Sequence, residues 1–277
     1  MDISPAELAL ASLFIVAAGA ISMWSRIGLG KSILTGAVRC VLQLTIMGYV
    51  LSFIFGMASA WIVLLLFCVM VAFAVRIVRG NVSEKSIPFV FPSFISMLLV
   101  YAVVTGIVTG LIVGVRPFWH PQYFIPIAGM VAGNSMTALG LSLDRLLSDL
   151  KAKRDLVEMK LCLGATPVEA SQDIFRDALK AGMIPSVNSL AGVGIVFIPG
   201  MMTGQILSGE DPMLAIRYQI VVMFMLVAST TLTVSMVLGI VRQRCFSPGH
   251  QLLLRPKQSL YPPPQGKCIH KKGRGGR

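Results

Sequence analysis

Seven long apolar stretches divide this chain, at about 6–24, 34–56, 59–78, 89–114, 122–141, 182–207 and 218–241. Each is close to the roughly 20 residues an α-helix needs to cross a hydrocarbon core. Such stretches end up either in a bilayer or in the core of a large soluble protein. Composition closes the second route. Of 277 residues, 55% are apolar and only 13% are charged, against about 25% charged in soluble domains. Mean hydropathy is +0.79. These residues predict an all-α polytopic membrane protein with about seven transmembrane helices. They exclude a disordered chain, a disulfide scaffold and an ordinary soluble enzyme. The first stretch is expected to be retained, because Asp2 and Glu7 stand where a signal peptide carries Lys or Arg, and no small-residue cleavage site follows Trp24.

Charge sets the expected orientation. The chain carries 24 Lys and Arg against 12 Asp and Glu, a net charge of +12. With the N-terminus outside, every one of those cations except Arg116 and Arg217 falls on the cytoplasmic side. This distribution predicts N-out, C-in, and it accounts for the basic balance through anionic lipid rather than nucleic acid. Asn81-Val82-Ser83 is a glycosylation sequon that this topology keeps bare. Residues 1–244 are expected to form the membrane domain. Residues 245–277, with Pro262-Pro263-Pro264 and scattered cations, are expected to form a disordered basic cytoplasmic tail.

The longest polar stretch within the body, 143–182, carries the most information. Apolar residues recur through it at helical spacing: Leu146, Leu147, Leu150, Leu156, Val157, Met159, Leu161 and Leu163. Gly164 ends that helix. Thr166 suits an N-cap, Pro167 suits the first helical position, and Glu169 completes a capping box. The expected form is one long cytoplasmic helical hairpin, its second helix running from Pro167 to about Ala181. It is either a surface-lying hairpin or a docking element. The loop of ABC-transporter permeases has the pattern E-A-A, three residues, G, nine residues, I-x-L-P. Here Glu158, Gly164 and Ile174 match in part, while Met159 and Lys160 replace the two alanines. The expected coupling residues are Glu158, Gly164, Ala165, Thr166, Pro167 and Glu169.

Two apolar segments, 126–140 and 182–205, are studded with Gly, Pro, amides and hydroxyls. They read as broken helices, which survive in lipid only when buried in protein or lining a cavity. Asn134, Ser135, Asn188, Met201, Met202 and Gln205 are the candidates there, either for a path or for helix–helix hydrogen bonds and packing. Arg39 and Gln43 share a face of the second span, where Arg39 either snorkels to the interface or joins the path.

Five Cys and three His form no metal-binding spacing, so no resident metal and no cofactor is expected. Gly28-Leu29-Gly30-Lys31-Ser32 ends like a phosphate-binding loop, yet Ser25 stands where the leading Gly belongs. No Asp or Glu is placed in the middle of a span, which disfavours proton or cation coupling. The chain is therefore not expected to be an enzyme, and uphill transport would draw its energy from another subunit.

Taken together, Arg39 with Gln43-Leu44, Gly133-Asn134-Ser135-Met136, Leu163-Gly164-Ala165-Thr166-Pro167, Ala181-Gly182-Met183-Ile184-Pro185, Asn188, and Pro199-Gly200-Met201-Met202-Thr203-Gly204-Gln205 resemble the FetB-type ABC transporter permease family. That family comprises bacterial iron-export permeases and plant aluminium-tolerance half-transporters, and the likeness spans about residues 5–243. The resemblance implies a permease that lacks its own ATPase domain. It would pair with a separate ATP-binding subunit, as a homodimer of permeases, and export a metal ion. Nucleotide-sugar export, as of UDP-glucose, is an alternative the same resemblance leaves open. The residues themselves leave open a channel that needs no partner.

Overall fold

The computed structural model describes residues 5–25, 28, 30–57, 59–84 and 86–254. The described residues form α-helices and no β-strand. The chain is an all-α polytopic membrane protein. Contact clustering divides it at Val63/Leu64 into two compact units.

The first unit pairs α1 (Pro5–Trp24) with α2 (Gly30–Met57). Only 6% of the most apolar window of α2 is buried. A helix apolar on nearly every side and still uncovered by protein requires lipid or another protein around it. Arg39 and Gln43 are both exposed on α2.

The second unit is built around α5 (Pro121–Ala152), which packs against α4 (Val90–Ile107), α8 (Gln172–Gly192) and α10 (Pro212–Arg244). It also contains α3 (Ala60–Asn81), whose first turn straddles the division between units, and a π-helical turn, Val108–Ile112, that extends α4. The buried face of α5 explains its central place. Leu139, Leu143, Leu146, Leu147 and Leu150 are all fully enclosed, at the three- and four-residue spacing of one helical stripe.

Five described helices are long and apolar enough to cross a bilayer, and α1 adds a shorter apolar run, Leu10–Ser22. The break expected within 182–205 is present. The predicted sixth, 182–207, is divided: α8 ends at Gly192, residues 193–199 leave the helix, and α9 (Gly200–Leu207) begins after them. Gly194, at φ +82°, makes the bend that lets its N–H reach the Phe197 carbonyl at 3.0 Å. The expected break within 126–140 is absent. α5 continues through Pro126 without interruption.

One end of this unit is tied together by polar contacts. The Ser83 N–H donates to Asp144 Oδ1 at 2.9 Å, and Lys151 Nζ meets Glu84 Oε2 at 2.7 Å. Arg154 Nη1 donates to the Leu254 carbonyl, and Arg244 Nη1 to the Pro88 carbonyl. The loop after α3, the hairpin and the segment after α10 therefore gather on one side, the three places where the sequence concentrates cations. Residues 245–254, assigned by the sequence to the tail, form a packed turn: Phe246, Leu252 and Leu254 are buried, and Phe246 bridges to Leu252. The rest of the expected tail, 255–277, lies outside the described residues, as do Arg26 and Lys85.

Candidate functional site

The predicted hairpin is made of the last turns of α5, then α6 (Arg154–Cys162), the short α7 (Pro167–Ala170) and the start of α8. Gly164 turns the chain at φ +93°, a left-handed conformation that glycine adopts without cost. The capping box is present at Thr166. Its Oγ1 accepts from the Glu169 N–H at 3.3 Å, and Glu169 Oε2 accepts from the Thr166 N–H at 2.8 Å. Those bonds to Thr166 hold the Glu169 carboxyl below the usual carboxylate range. Ala165 is half-buried beside the turn. Glu158 is engaged within the hairpin, with Arg154 Nε 2.7 Å from its Oε1.

Apolar residues of the hairpin separate into two sets. Leu146, Leu147, Leu150 and Val157 are fully buried against the helical body. Leu156, Met159, Leu163 and Val168 are 46, 54, 80 and 43% exposed. Four uncovered apolar side chains around one sharp turn, at the polar end of the molecule, form a surface suited to a partner.

The second helix of the hairpin differs from expectation. It does not stop near Ala181. Ser171 interrupts it after one turn, and α8 then runs unbroken from Gln172 to Gly192, through Pro185. The hairpin thus joins two long helices, α5 on one side across Lys153 and α8 on the other across Ser171. Arg242 of α10 fastens the base of α8: Nη1 donates to Gln172 Oε1 at 2.9 Å, and the guanidinium lies 4.3 Å from the Phe175 ring centroid. Further along, Gly182 touches α5. A Cβ at that position would overlap Ser142 Oγ and stand 2.7 Å from the Ala138 carbonyl oxygen.

Next to that contact, α5 and α8 part to form a groove of about 270 Å³, lined by Gly133, Asn134, Thr137, Ala138, Pro185, Ser186 and Ser189. Asn134 Nδ2 donates back to the Met130 carbonyl at 3.2 Å, and Thr137 Oγ1 to the Gly133 carbonyl. The structure brings Asn134 together with Ser186 and Ser189, which the sequence reading did not single out. Asn188 is exposed on α8 and does not line the groove. Ser135 faces the other way, its Oγ 3.4 Å from Thr230 Oγ1 of α10. Met201, Met202 and Gln205 lie on α9, which packs against α10. The Gln205 Oε1 is buried without a hydrogen-bond partner.

A second polar place escaped the sequence reading. Ser93, Ser96, Tyr101, Thr105 and Thr109 are all buried on one side of α4 and its extension. The Tyr101 hydroxyl faces Ser135 and Thr233 but closes a hydrogen bond with neither. Recurrence of these residues at three to five positions was the available signal. Among the described residues, no group of three or more His, Cys, Asp or Glu comes together. The groove and this seam therefore offer hydroxyl, amide and carbonyl oxygens rather than charged ligands.

Comparison with known proteins gives a consistent set of relatives. A family model described as "Uncharacterised protein family (UPF0014)" matches residues 5–246. The chain is 37% identical over 255 residues to "Probable iron export permease protein FetB" of Escherichia coli (strain K12), covering 91% of this chain and 96% of that one. It is 36% identical over 227 residues to "UPF0014 membrane protein YjkA" of Bacillus subtilis (strain 168), covering 82% and 89%. It is 34% identical over 226 residues to "Protein ALUMINUM SENSITIVE 3" of Arabidopsis thaliana, covering 80% and 81%. No solved structure matches the chain.

Proposed function

Because the chain belongs to the UPF0014 family, we propose that it is the membrane permease of an ATP-driven exporter whose nucleotide is hydrolysed by a separate subunit. The observation that supports this reading is that the exposed apolar turn of α6 and α7 is joined by single-residue breaks, at Lys153 and Ser171, to the long helices α5 and α8. An α-helix transmits displacement along its axis because its hydrogen bonds run parallel to that axis. A partner that grips Leu156, Met159, Leu163 and Val168 would pull on α6 and α7, and through the short breaks at Lys153 and Ser171 on the ends of α5 and α8. Gly182 against Ser142 acts as their point of contact, and the Asn134 groove lies on its far side. Rocking about that contact opens or closes the groove, a shear motion of packed helices. The coupling residues are Glu158, Gly164, Ala165, Thr166, Pro167 and Glu169. Asn134, Thr137, Ser186 and Ser189 line the path. Asn188, Met201, Met202 and Gln205 are further path candidates of the second unit, to which a second permease copy would contribute; Arg39 and Gln43 remain candidates on the first unit by itself.

Hard cations prefer oxygen ligands, and the groove presents oxygen. These neutral oxygens are compatible with a metal ion, and the iron-export name of the E. coli relative makes it the proposed substrate. Inside-out vesicles from cells producing the full chain with its ATP-binding companion test the assignment. ATP-dependent accumulation of radiolabelled iron is expected, with none of UDP-glucose. Accumulation of UDP-glucose alone would replace the substrate. Iron flux without ATP would overturn the mechanism.

A further inference from the structure

We propose that the end of the α3–α4 pair carries a binding site for the headgroup of an anionic phospholipid. A groove of about 680 Å³ lies there, with Arg76, Arg79 and Gly80 at one edge and Val75, Phe91 and Phe94 forming apolar wall. Arg76 and Arg79 stand three residues apart and share a helix face. Neither has a hydrogen-bond or ion-pair partner among the described residues, and no carboxylate lines the groove. Several neighbouring cations at the same end are engaged, Lys151 with Glu84, Arg154 with Glu158, Lys160 with Asp173 and Arg244 with the Pro88 carbonyl, whereas Arg76 and Arg79 face an apolar groove.

Depth selects the occupant. At about 1.5 Å per residue, Arg76 lies about 24 Å and Arg79 about 29 Å along α3 from Ala60. In a hydrocarbon core of about 30 Å, that is the level of lipid phosphates. Guanidinium groups bind phosphate oxygens in paired hydrogen bonds. A Cβ on Gly80 would meet nothing within 4 Å, so the mouth has room for a headgroup. Below it, Phe91 is largely exposed, and Phe94 and Val75 continue the wall. A free phosphate would satisfy the arginines and leave the phenyl rings bare. A phospholipid satisfies both. None of its lining residues belongs to the hairpin or to the α5–α8 groove, so it does not depend on the permease reading.

Native mass spectrometry of the purified full chain, released from mixed phosphatidylglycerol and phosphatidylcholine, tests this. Wild type should retain phosphatidylglycerol several-fold over phosphatidylcholine. The R76Q/R79Q variant should lose that preference, and R176Q/K180Q, which removes equal charge elsewhere, should keep it. Equal retention in R76Q/R79Q, or equal loss in R176Q/K180Q, would overturn the site. Displacement of the lipid by glycerol phosphate at matched concentration would reassign it to free phosphate. Loss of a dimer in R76Q/R79Q without loss of lipid would give the groove to a second copy of the chain.

Discussion

Gly182 has no room to become anything else. The Ala138 carbonyl oxygen would stand 2.7 Å from an added Cβ, and backbone at that contact cannot turn aside as a side chain can. Gly182→Ala should destabilise the chain by about 1–3 kcal/mol, the usual cost of overpacking. Adding Ser142→Gly should restore only part of it, because the carbonyl clash remains. Unfolding midpoints in detergent check both, and an unchanged midpoint in Gly182→Ala would contradict the packing. Gly164 is the opposite case, with open space around it and a demanding backbone at φ +93°. A non-glycine residue there costs about 1–2 kcal/mol from conformation alone, and Asn tolerates it best. Gly164→Val should lower ATP-coupled flux with membrane content unchanged, and Gly164→Asn should recover part of it. Equal flux in Gly164→Val and wild type would remove the turn from coupling.

At the scale of elements, the loop after α3 is clasped to α5 through Glu84. The hydrogen bond from Lys151, then that from Ser86, hold its carboxyl below the ordinary range. A depressed folded-state pKa stabilises above the unfolded value, about 4.3, and that contribution is lost as pH falls through the folded value. Wild type should therefore lose stability on acidification below about pH 4, and Glu84→Gln should lack that component while starting lower at neutral pH. Superimposable pH profiles would contradict the clasp. In the α4 seam, Tyr101→Phe removes a buried hydroxyl that faces Ser135 and Thr233 but closes no hydrogen bond among the described residues, so stability should change little and flux should persist. Much of this element layer was legible from residue chemistry. The capping box at Thr166 and the glycine turn at Gly164 follow from local rules, and both are present. The extent of α8 was not legible, because Pro185 reads as a breaker in isolation, whereas the helix runs through it, with Gly182 packed on α5 and Thr231 Oγ1 3.7 Å from Met183 Sδ. Pro126 was misread for the same reason. Ser186 and Ser189 became visible only once α8 was seen to face Asn134, since which residues of two helices meet depends on their tertiary pairing.

For the whole molecule, the proposed reading is a gate without a motor, in which a partner's grip on the hairpin reaches the α5–α8 groove. Charge distribution along the chain placed the hairpin, the loop after α3 and the segment after α10 on one side, and contacts among those three gather them at one end of the second unit. The division of 182–207 into α8, a bend and α9 follows the Gly and Pro residues that marked this stretch as a broken helix. ATP-dependent flux of radiolabelled iron into inside-out vesicles, compared between wild type and M159D/L163D at equal membrane content, tests the central claim most directly. Both substituted positions are exposed, so the variant should fold and insert normally. The account predicts ATP-dependent accumulation in wild type and its loss in the variant, whereas accumulation that proceeds undiminished in M159D/L163D, or without nucleotide, would contradict it.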